Sequence, residues 1–301
     1  MDNVLSDNAE HIPVLANKLV EQIILPHDAV MVDATVGHGG HSFLFGQHFN
    51  KDGTVVAFDV DKGSLNKAKE ELSILKCRVL FVNANFAEIQ QKLFENGIKE
   101  VDFILADLGF CSAQLLDNEI GLSFQTDAPL DMRLDKRLKA SAADLINTLS
   151  EEELANVIYN YGEDRASRRI ARYIVENRPI YTTHQLASVV SRALGIKSKG
   201  RKQKIHPATK TFQALRIAVN DELNKLNELL ETAPKCLKRD GKIAIISFHS
   251  LEDRIVKNNF KQLKADNIYK IITKKPITAD SDEMSENPCS RSAKLRIAQK
   301  L

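Results

Sequence analysis

Tryptophan is absent from this chain of 301 residues, and that absence alone excludes little. The scarcity of cysteine says more. There are four, Cys77, Cys111, Cys236 and Cys289, scattered along the chain with no Cys-x-x-Cys pair. That distribution argues against a zinc site or a disulfide framework and fits a reducing compartment. No apolar run approaches the roughly 20 residues that a membrane span needs. The first residues, MDNVLSDNAEHIPVL, are polar and acidic and lack a signal-peptide pattern, so a cytoplasmic chain with no membrane partner is expected. Charge imbalance is small as well: 42 Lys and Arg against 40 Asp and Glu leave +2. Any contact with nucleic acid therefore has to come from local basic patches. The hydrophobic fraction, 43%, is ample for a core. The length allows one large domain or two smaller ones.

What is present is an alternation of short apolar runs and amphipathic stretches. AVMVDAT, GTVVAFDVD, CRVLFVNA and VDFILADLG read as four strands separated by helices, which implies βαβ units and a parallel sheet. From about Cys111 to Pro207 the pattern stops, and the chain reads as loops and helices. Several of these helices start on Ser, Glu or Asp, as N-termini often do. The α/β pattern returns with one long helix, TKTFQALRIAVNDELNKLNELLETA, the strand GKIAIISFHS, a helix, and two last candidate strands in NIYKIITKKP and AKLRIAQKL. The expected organisation is an α/β domain made of residues 1–112 and 208–301, interrupted by a mainly helical insertion, 113–207.

The stretch VDATVGHGGHS places a strand-end acid and a glycine-rich turn before a helix. Glycines let backbone approach a ligand without Cβ clashes, and a helix start offers free N–H groups. Asp59 ends the second strand beside this turn, where an acid suits the two hydroxyls of a ribose. A dinucleotide site wants G-x-G-x-x-G, and Gly37, Gly39 and Ser42 match two of its three glycines. S-adenosylmethionine has no phosphates but needs the ribose acid and a polar strand end near its methionine part. Asp107, after the fourth strand, supplies such an end, so the pattern favours S-adenosylmethionine. His38 and His41 suggest a metal only superficially, since no carboxylate or cysteine pattern completes a ligand set; none is expected.

The loop from Asp107 to Asp135 leaves the fourth strand where the transferred group would lie. Its polar, Gly and Pro-rich composition is that of a functional segment. Within it, Asp131 and Arg133 in PLDMR read equally well as site residues and as a structural ion pair. Two regions suit phosphates. Arg165, Arg168, Arg169 and Arg172 fall at helical spacing on one face, with Ala166, Ile170, Tyr173 and Ile174 on another. Ile196 to Arg216 holds seven Lys or Arg and no acid, among them Lys202, Lys204 and Lys210 beside His206. Together these features favour a nucleic-acid substrate over a small molecule.

At this level of detail the chain resembles a bacterial family of methyltransferases that modify the N4 amino group of a cytosine in 16S ribosomal RNA. The resemblance runs through HIPVL, DATVGHGGHS, FDVD, NANF, DLGFCSAQL, PLDMR, YGEDR, HPATKTFQALRIAVNDEL, ISFHSLEDRIVK and NPCSRSAKLRIA, covering nearly the whole chain. It implies a Rossmann-like class I S-adenosylmethionine-dependent methyltransferase domain with an inserted helical substrate-recognition domain. It implies 16S rRNA in the small ribosomal subunit as partner, and no DNA. Position by position, it implies cofactor contacts at Gly39, Gly40 and His41, Asp59 on the ribose, and Phe86 near the adenine. Asp107 and Gln114 would lie nearer the methionine end. The chain departs from the family pattern at Phe110, Cys111, Ser112 and Ala113, at Ile120 and Leu122, and at Cys289. These departures bear on the target pocket rather than on the fold.

The implied reaction is direct methyl transfer with no metal and no covalent enzyme intermediate. A carboxylate accepting an N–H bond from the target amine would hold it in line and later take the proton. Asp107 is the first candidate and Asp131 the second; DLGF is not the Asp/Asn-Pro-Pro-aromatic pattern of many amino-methyltransferases. Phe110 or Phe124 would stack on the target base, or belong to a core. Arg133, Arg165, Arg169, Lys202, Lys204, His206 and Lys210 are the expected substrate contacts. Competing functions are methylation of another nucleic acid, a non-catalytic RNA-binding assembly factor, and a nicotinamide dehydrogenase.

Overall fold

The computed structural model describes residues 13–109, 119–195 and 206–301. The chain divides into two compact units, with boundaries after Cys111 and after Glu222. The first unit starts with α1 (Ala16–Gln22), β1 (Val30–Asp33), α2 (Gly40–Gly46), β2 (Thr54–Asp59), α3 (Lys62–Glu71), β3 (Arg78–Asn83), α4 (Ile89–Glu95) and β4 (Val101–Asp107). The second unit contains α5 (Ala142–Thr148), α6 (Glu151–Gly162), α7 (Ser167–Glu176), α8 (Thr183–Ala193) and α9 (Thr209–Asn220). The chain then returns through α10 (Glu222–Cys236), β5 (Leu237–Ser247), α11 (Ser250–Ala265), β6 (Tyr269–Ile271), α12 (Ser281–Glu286) and β7 (Lys294–Lys300).

The seven strands form one sheet in the order β3-β2-β1-β4-β5-β7-β6. Strands β1 to β5 pair in parallel, and β7 runs antiparallel to both β5 and β6. This is the Rossmann-like α/β architecture that the resemblance implies. The central strands are apolar on both faces, as a covered parallel sheet requires. Alternate residues serve the two sides: Phe103 and Leu105 of β4 pack into one core cluster, Ile104 and Ala106 into another. Polar residues mark the strand ends, and Asp33, Asp59 and Asp107 are the last residues of β1, β2 and β4.

The helical unit has its own core, built around Ile146, Ile158, Ile170, Ile174, Leu186 and Leu215. Three of its helices begin with reciprocal caps: Ser141 with Asp144, Ser150 with Glu153 and Thr182 with Gln185. Each pair satisfies two otherwise orphaned backbone donors. The apolar spacing predicts one helix of the sheet domain from Thr209 to Ala233, with the insertion ending at 207. The structure corrects both points. Asp221 takes φ 53°, ψ 39° and ends α9. Helix α9 packs through Phe212, Leu215 and Val219 into the helical core, so the boundary falls after Glu222. Among the described residues, no helix is long and apolar enough to cross a membrane.

Candidate active site

The carboxyl ends of β1, β2 and β4 are stitched together by the chain that leaves β1. Ala34 N–H donates to Leu105 O at 2.8 Å, Val36 N–H to Phe58 O at 2.8 Å, and Asp107 N–H to Thr35 Oγ1 at 2.7 Å. Beyond Val36 the glycine turn begins. Gly39 has φ 97°, and a Cβ built there would lie 3.2 Å from Leu72 Cγ, so only glycine fits without strain. Gly40 opens α2 and His41 follows it.

Asp59 closes the side of this turn. One of its oxygens accepts Gly37 N–H at 3.0 Å and the other accepts Asp61 N–H at 2.9 Å. Asn83 Nδ2 donates to the carbonyls of Asp59 and Val60, holding the end of β2 in place. A carboxylate offers about four lone-pair sites, so two further donors fit on Asp59. Burial raises its pKa to about 6, against the pull of the two N–H groups. Phe86, expected near an adenine, opens a short turn capped by Asn85 and packs partly on the sheet core.

Below the turn, Asp33 is buried and accepts the Ser42 hydroxyl at 2.7 Å. Burial raises its pKa, partly opposed by His41 and that hydroxyl. His41 is buried too, and its Nε2 lies 2.9 Å from Val14 O. A carbonyl only accepts, so Nε2 carries the proton and Nδ1 presents its lone pair. That Nδ1 sits 3.8 Å from Asp107 Oδ2. Burial holds the His41 pKa below the ordinary value, with Asp33 and the Val14 carbonyl opposing. Asp107 Oδ1 accepts Gly109 N–H at 3.3 Å. A partly exposed carboxylate at a strand end, backed by a neutral imidazole, is thus in place to accept a hydrogen bond from a substrate amine.

Thr35, Ser42 and Asn83 are site residues whose roles the sequence does not reveal. In the residue order Ser42 is only a missing third glycine. Its hydroxyl instead ties α2 to the end of β1, a role that no spacing rule reveals.

In the helical unit, Asp131 and Arg133 form a two-pronged ion pair. Nε lies 2.6 Å from Oδ1 and Nη2 2.8 Å from Oδ2, while Nη1 donates to Leu138 O at 2.9 Å. Burial pushes the Asp131 pKa up, but the Arg133 bonds outweigh it and leave it below the usual carboxylate range. Arg133 takes three of the roughly four acceptor sites of Asp131, with its backbone N–H also on Oδ1, and a carboxylate held below its usual range is poor equipment for a proton acceptor. Arg168, Arg169 and Arg172 are exposed on α7. Arg172 has Glu151 at 3.7 Å. Arg165, expected on the same helix, stands in the turn before it, because Asp164 accepts Ala166 N–H and α7 starts only at Ser167. Lys210 differs from expectation as well: Nζ donates to Glu163 O at 2.9 Å, closing the C-terminal end of α6 where a cation is favoured. His206 stacks on Phe124 with ring centroids 4.3 Å apart. Its Nδ1 accepts Ala208 N–H, and burial lowers its pKa, so it offers a neutral ring rather than a charge. Gln114, Lys202 and Lys204 lie outside the described residues, as do Phe110 and Cys111.

A model of the MraW methylase family matches residues 8–301. The chain belongs to the MraW methylase family. It is 50% identical over 291 residues to ribosomal RNA small subunit methyltransferase H of Cyanothece sp. (strain PCC 7425), spanning 97% of this chain and 95% of that one. The protein of the same name from Clostridioides difficile (strain 630) is 44% identical over 309 residues, spanning 97% and 99%. Among solved structures, an rRNA methylase from Streptococcus thermophilus matches with TM-score 0.43 and 11% identity, over 95% of this chain and 93% of that one. The cofactor of this MraW-family chain is S-adenosylmethionine. The Asp59 carboxylate, with lone pairs to spare beside a glycine-rich turn, fits the ribose diol of that molecule.

Proposed function

We propose that this chain transfers a methyl group from S-adenosylmethionine to the exocyclic N4 amino group of a cytosine in 16S rRNA of the small ribosomal subunit, by direct in-line transfer, in the cytoplasm. The observation that carries the reading is near-full-length identity of 44–50% to proteins named for methylation of small-subunit rRNA. Bound S-adenosylmethionine supplies an electrophilic methyl on a sulfonium. The residues of this chain do the rest. Asp59 holds the ribose hydroxyls, the turn at Gly39, Gly40 and His41 gives backbone approach, and Phe86 flanks the base. Gln114 is assigned to the same cofactor site.

The N4 amine is a weak nucleophile because its lone pair is delocalised into the ring. Asp107 accepts one N–H of that amine, holding lone-pair density toward the methyl, and afterwards takes the proton. Alignment within about 3–3.5 Å of the methyl supplies much of the acceleration. The helical unit serves as the RNA-recognition domain. Arg165, Arg168 and Arg169 present exposed guanidinium groups suited to phosphates. Arg133, Lys202, Lys204, His206 and Lys210 complete the assigned substrate side, with Arg133 and Lys210 acting through the bonds they make within the unit and His206 as a stacking ring.

The test is transfer of label from S-adenosylmethionine to small subunits from cells lacking this activity, followed by nucleoside analysis. Labelled N4-methylated cytidine is the expected product. Label on DNA, or RNA binding with no turnover, would move the chain to another substrate or to an assembly role.

A further inference from the structure

The sheet unit carries a basic cavity apart from the glycine turn. The cavity, of about 250 Å³, lies between α11 and the β6–β7 edge, lined by Lys257, Lys261, Lys274, Lys275 and Arg296 over a floor that includes Phe260. It is smaller than the roughly 300–1,000 Å³ of sites for whole small molecules, and suits a compact anion. No acid contributes to the lining. Arg296 is neutralised by Asp253, with Nε 2.6 Å from Oδ1. The four lysines are exposed, and among the described residues none of them forms an ion pair.

The arrangement is fixed rather than fortuitous. Lys257 and Lys261 are one turn apart on α11, so their side chains share a face. The segment bearing Lys274 and Lys275 is pinned at both ends to β7. Before it, Ile297 N–H donates to the buried Thr273 Oγ1 at 2.9 Å. After it, Ile277 and Leu295 exchange backbone bonds of 3.0 and 2.8 Å. Phe260 below is buried edge-on against Tyr269. The position is also informative. Asp107 pairs with Ile246, Ile246 with Leu295, and Leu295 with Ile277. Ile277, two residues beyond Lys275, therefore stands on the same row of the sheet as Asp107, three strand spacings or roughly 14 Å away, while the cavity-lining Phe260 and Ile271 belong to the core on the other face of the sheet from Leu295.

We propose that this lysine-lined cavity is a docking site for a backbone phosphate of the RNA substrate, a few nucleotides along the chain from the target base. The inference rests on the RNA reading above. Four ammonium groups with no carboxylate partner attract polyanion, and the pinned loop and α11 hold them to one anion-sized space. An RNA strand carries a phosphate at every nucleotide, so one whose target base is at Asp107 can bring a phosphate to this part of the same unit.

The test compares the full-length wild-type chain with a variant carrying Lys257→Gln, Lys261→Gln, Lys274→Gln and Lys275→Gln, all at exposed positions. The readouts are affinity for a small-subunit rRNA fragment across a salt series, KM and kcat for methyl transfer, and S-adenosylmethionine affinity. The expected result is weaker RNA binding, a salt slope shallower by about 0.7–0.9 for each phosphate no longer neutralised, a raised KM, and unchanged cofactor affinity. Replacement of the same four by Arg restores the slope. Unchanged RNA affinity, slope and KM in the Gln variant overturn the docking site while wild-type methylation leaves the function standing. Inorganic phosphate bound by the wild type but not the variant, with RNA binding equal in both, assigns the cavity to a free anion and also overturns it. A wild type that neither binds nor methylates RNA overturns both inferences together.

Discussion

His41 Nδ1 stands 3.8 Å from Asp107 Oδ2, with the opposite ring nitrogen 2.9 Å from the Val14 carbonyl. The Val14 bond fixes the tautomer, so the imidazole turns its lone pair, not a proton, toward the carboxylate. The pair is thus a base backed by a second base, and a proton arriving on Asp107 has an acceptor beside it. Asp107→Asn keeps the shape and a hydrogen-bond acceptor but removes the base. It is expected to lower kcat by about 10²–10⁴-fold while S-adenosylmethionine affinity changes far less. His41→Gln is expected to lower kcat by a smaller factor and to shift the pH–rate profile. Single-turnover methylation with parallel cofactor titration checks both. Equal losses in kcat and cofactor affinity for Asp107→Asn would reduce that residue to a cofactor contact.

Asp59 gives the site a pH dependence whose sign follows from its burial. In the folded chain its pKa is raised from 3.8 to about 6. The folded state therefore keeps a proton that the unfolded chain releases between those values. The stability from that proton is fully present below 3.8 and is lost as pH rises through about 6. Ribose hydroxyls donate, so the cofactor prefers the ionised form. Affinity for S-adenosylmethionine should fall about tenfold for each pH unit below 6 and level off above 7. Calorimetric titration from pH 5 to 8 reads this directly. Asp59→Asn should weaken binding and flatten the profile. A wild-type profile already flat across that range would mean that the carboxylate does not meet the diol.

The parallel strands are legible in the sequence because a sheet covered on both faces makes continuous apolar runs, and the acids that stop them, Asp33, Asp59 and Asp107, mark the site end. The break at Asp221 is not legible. Apolar spacing continues from Leu215 through Leu226, and nothing in the residue order announces a left-handed backbone at one Asp, which tolerates it. Arg216 Nε meets Glu222 Oε1 at 2.7 Å across that break, a contact visible only once the helix has ended. Lys210 escapes the sequence for a related reason: its partner is a main-chain carbonyl of α6, and carbonyls carry no letter in a sequence. Spacing alone counts Arg165 into a helix, whereas the Asp164 side chain claims the turn.

The Asp131–Arg133 pair is expected to be structural. Its side chains are about 29% and 28% exposed, so the pair is worth about 1 kcal/mol in stability. Asp131→Asn should lower Tm by a few degrees, with kcat within about threefold of wild type once the folded fraction is corrected. A double-mutant cycle with Arg133→Met should return a coupling of about 1 kcal/mol. A loss of kcat by hundreds-fold in Asp131→Asn, with Tm unchanged, would instead return the proton to Asp131.

Gly121 separates the two units experimentally. It has φ 67°, and a Cβ there would collide with Pro129 O and lie 3.3 Å from Thr183 Cγ2. The loop has nowhere to retreat. Met132 N–H donates to Ile120 O at 2.7 Å, Leu130 N–H to Tyr181 O at 2.9 Å, and Thr183 N–H to Ala128 O at 3.0 Å. Ile120 and Leu122, which depart from the family pattern, flank this glycine, and Leu122 packs on the helical core. Gly121→Ala therefore has to break one of those backbone bonds or displace the Pro129 peptide, at about 2–4 kcal/mol. The loss should fall on the helical unit, whose amides around Leu130 and Thr183 should exchange faster. S-adenosylmethionine affinity should hold, because the turn at Gly39 and the Asp59 carboxylate belong to the other unit. RNA affinity should drop with the helical unit that recognises it. Hydrogen exchange with and without cofactor distinguishes the outcomes: protection lost equally in β1, β2 and β4 would mean that the two units do not unfold separately.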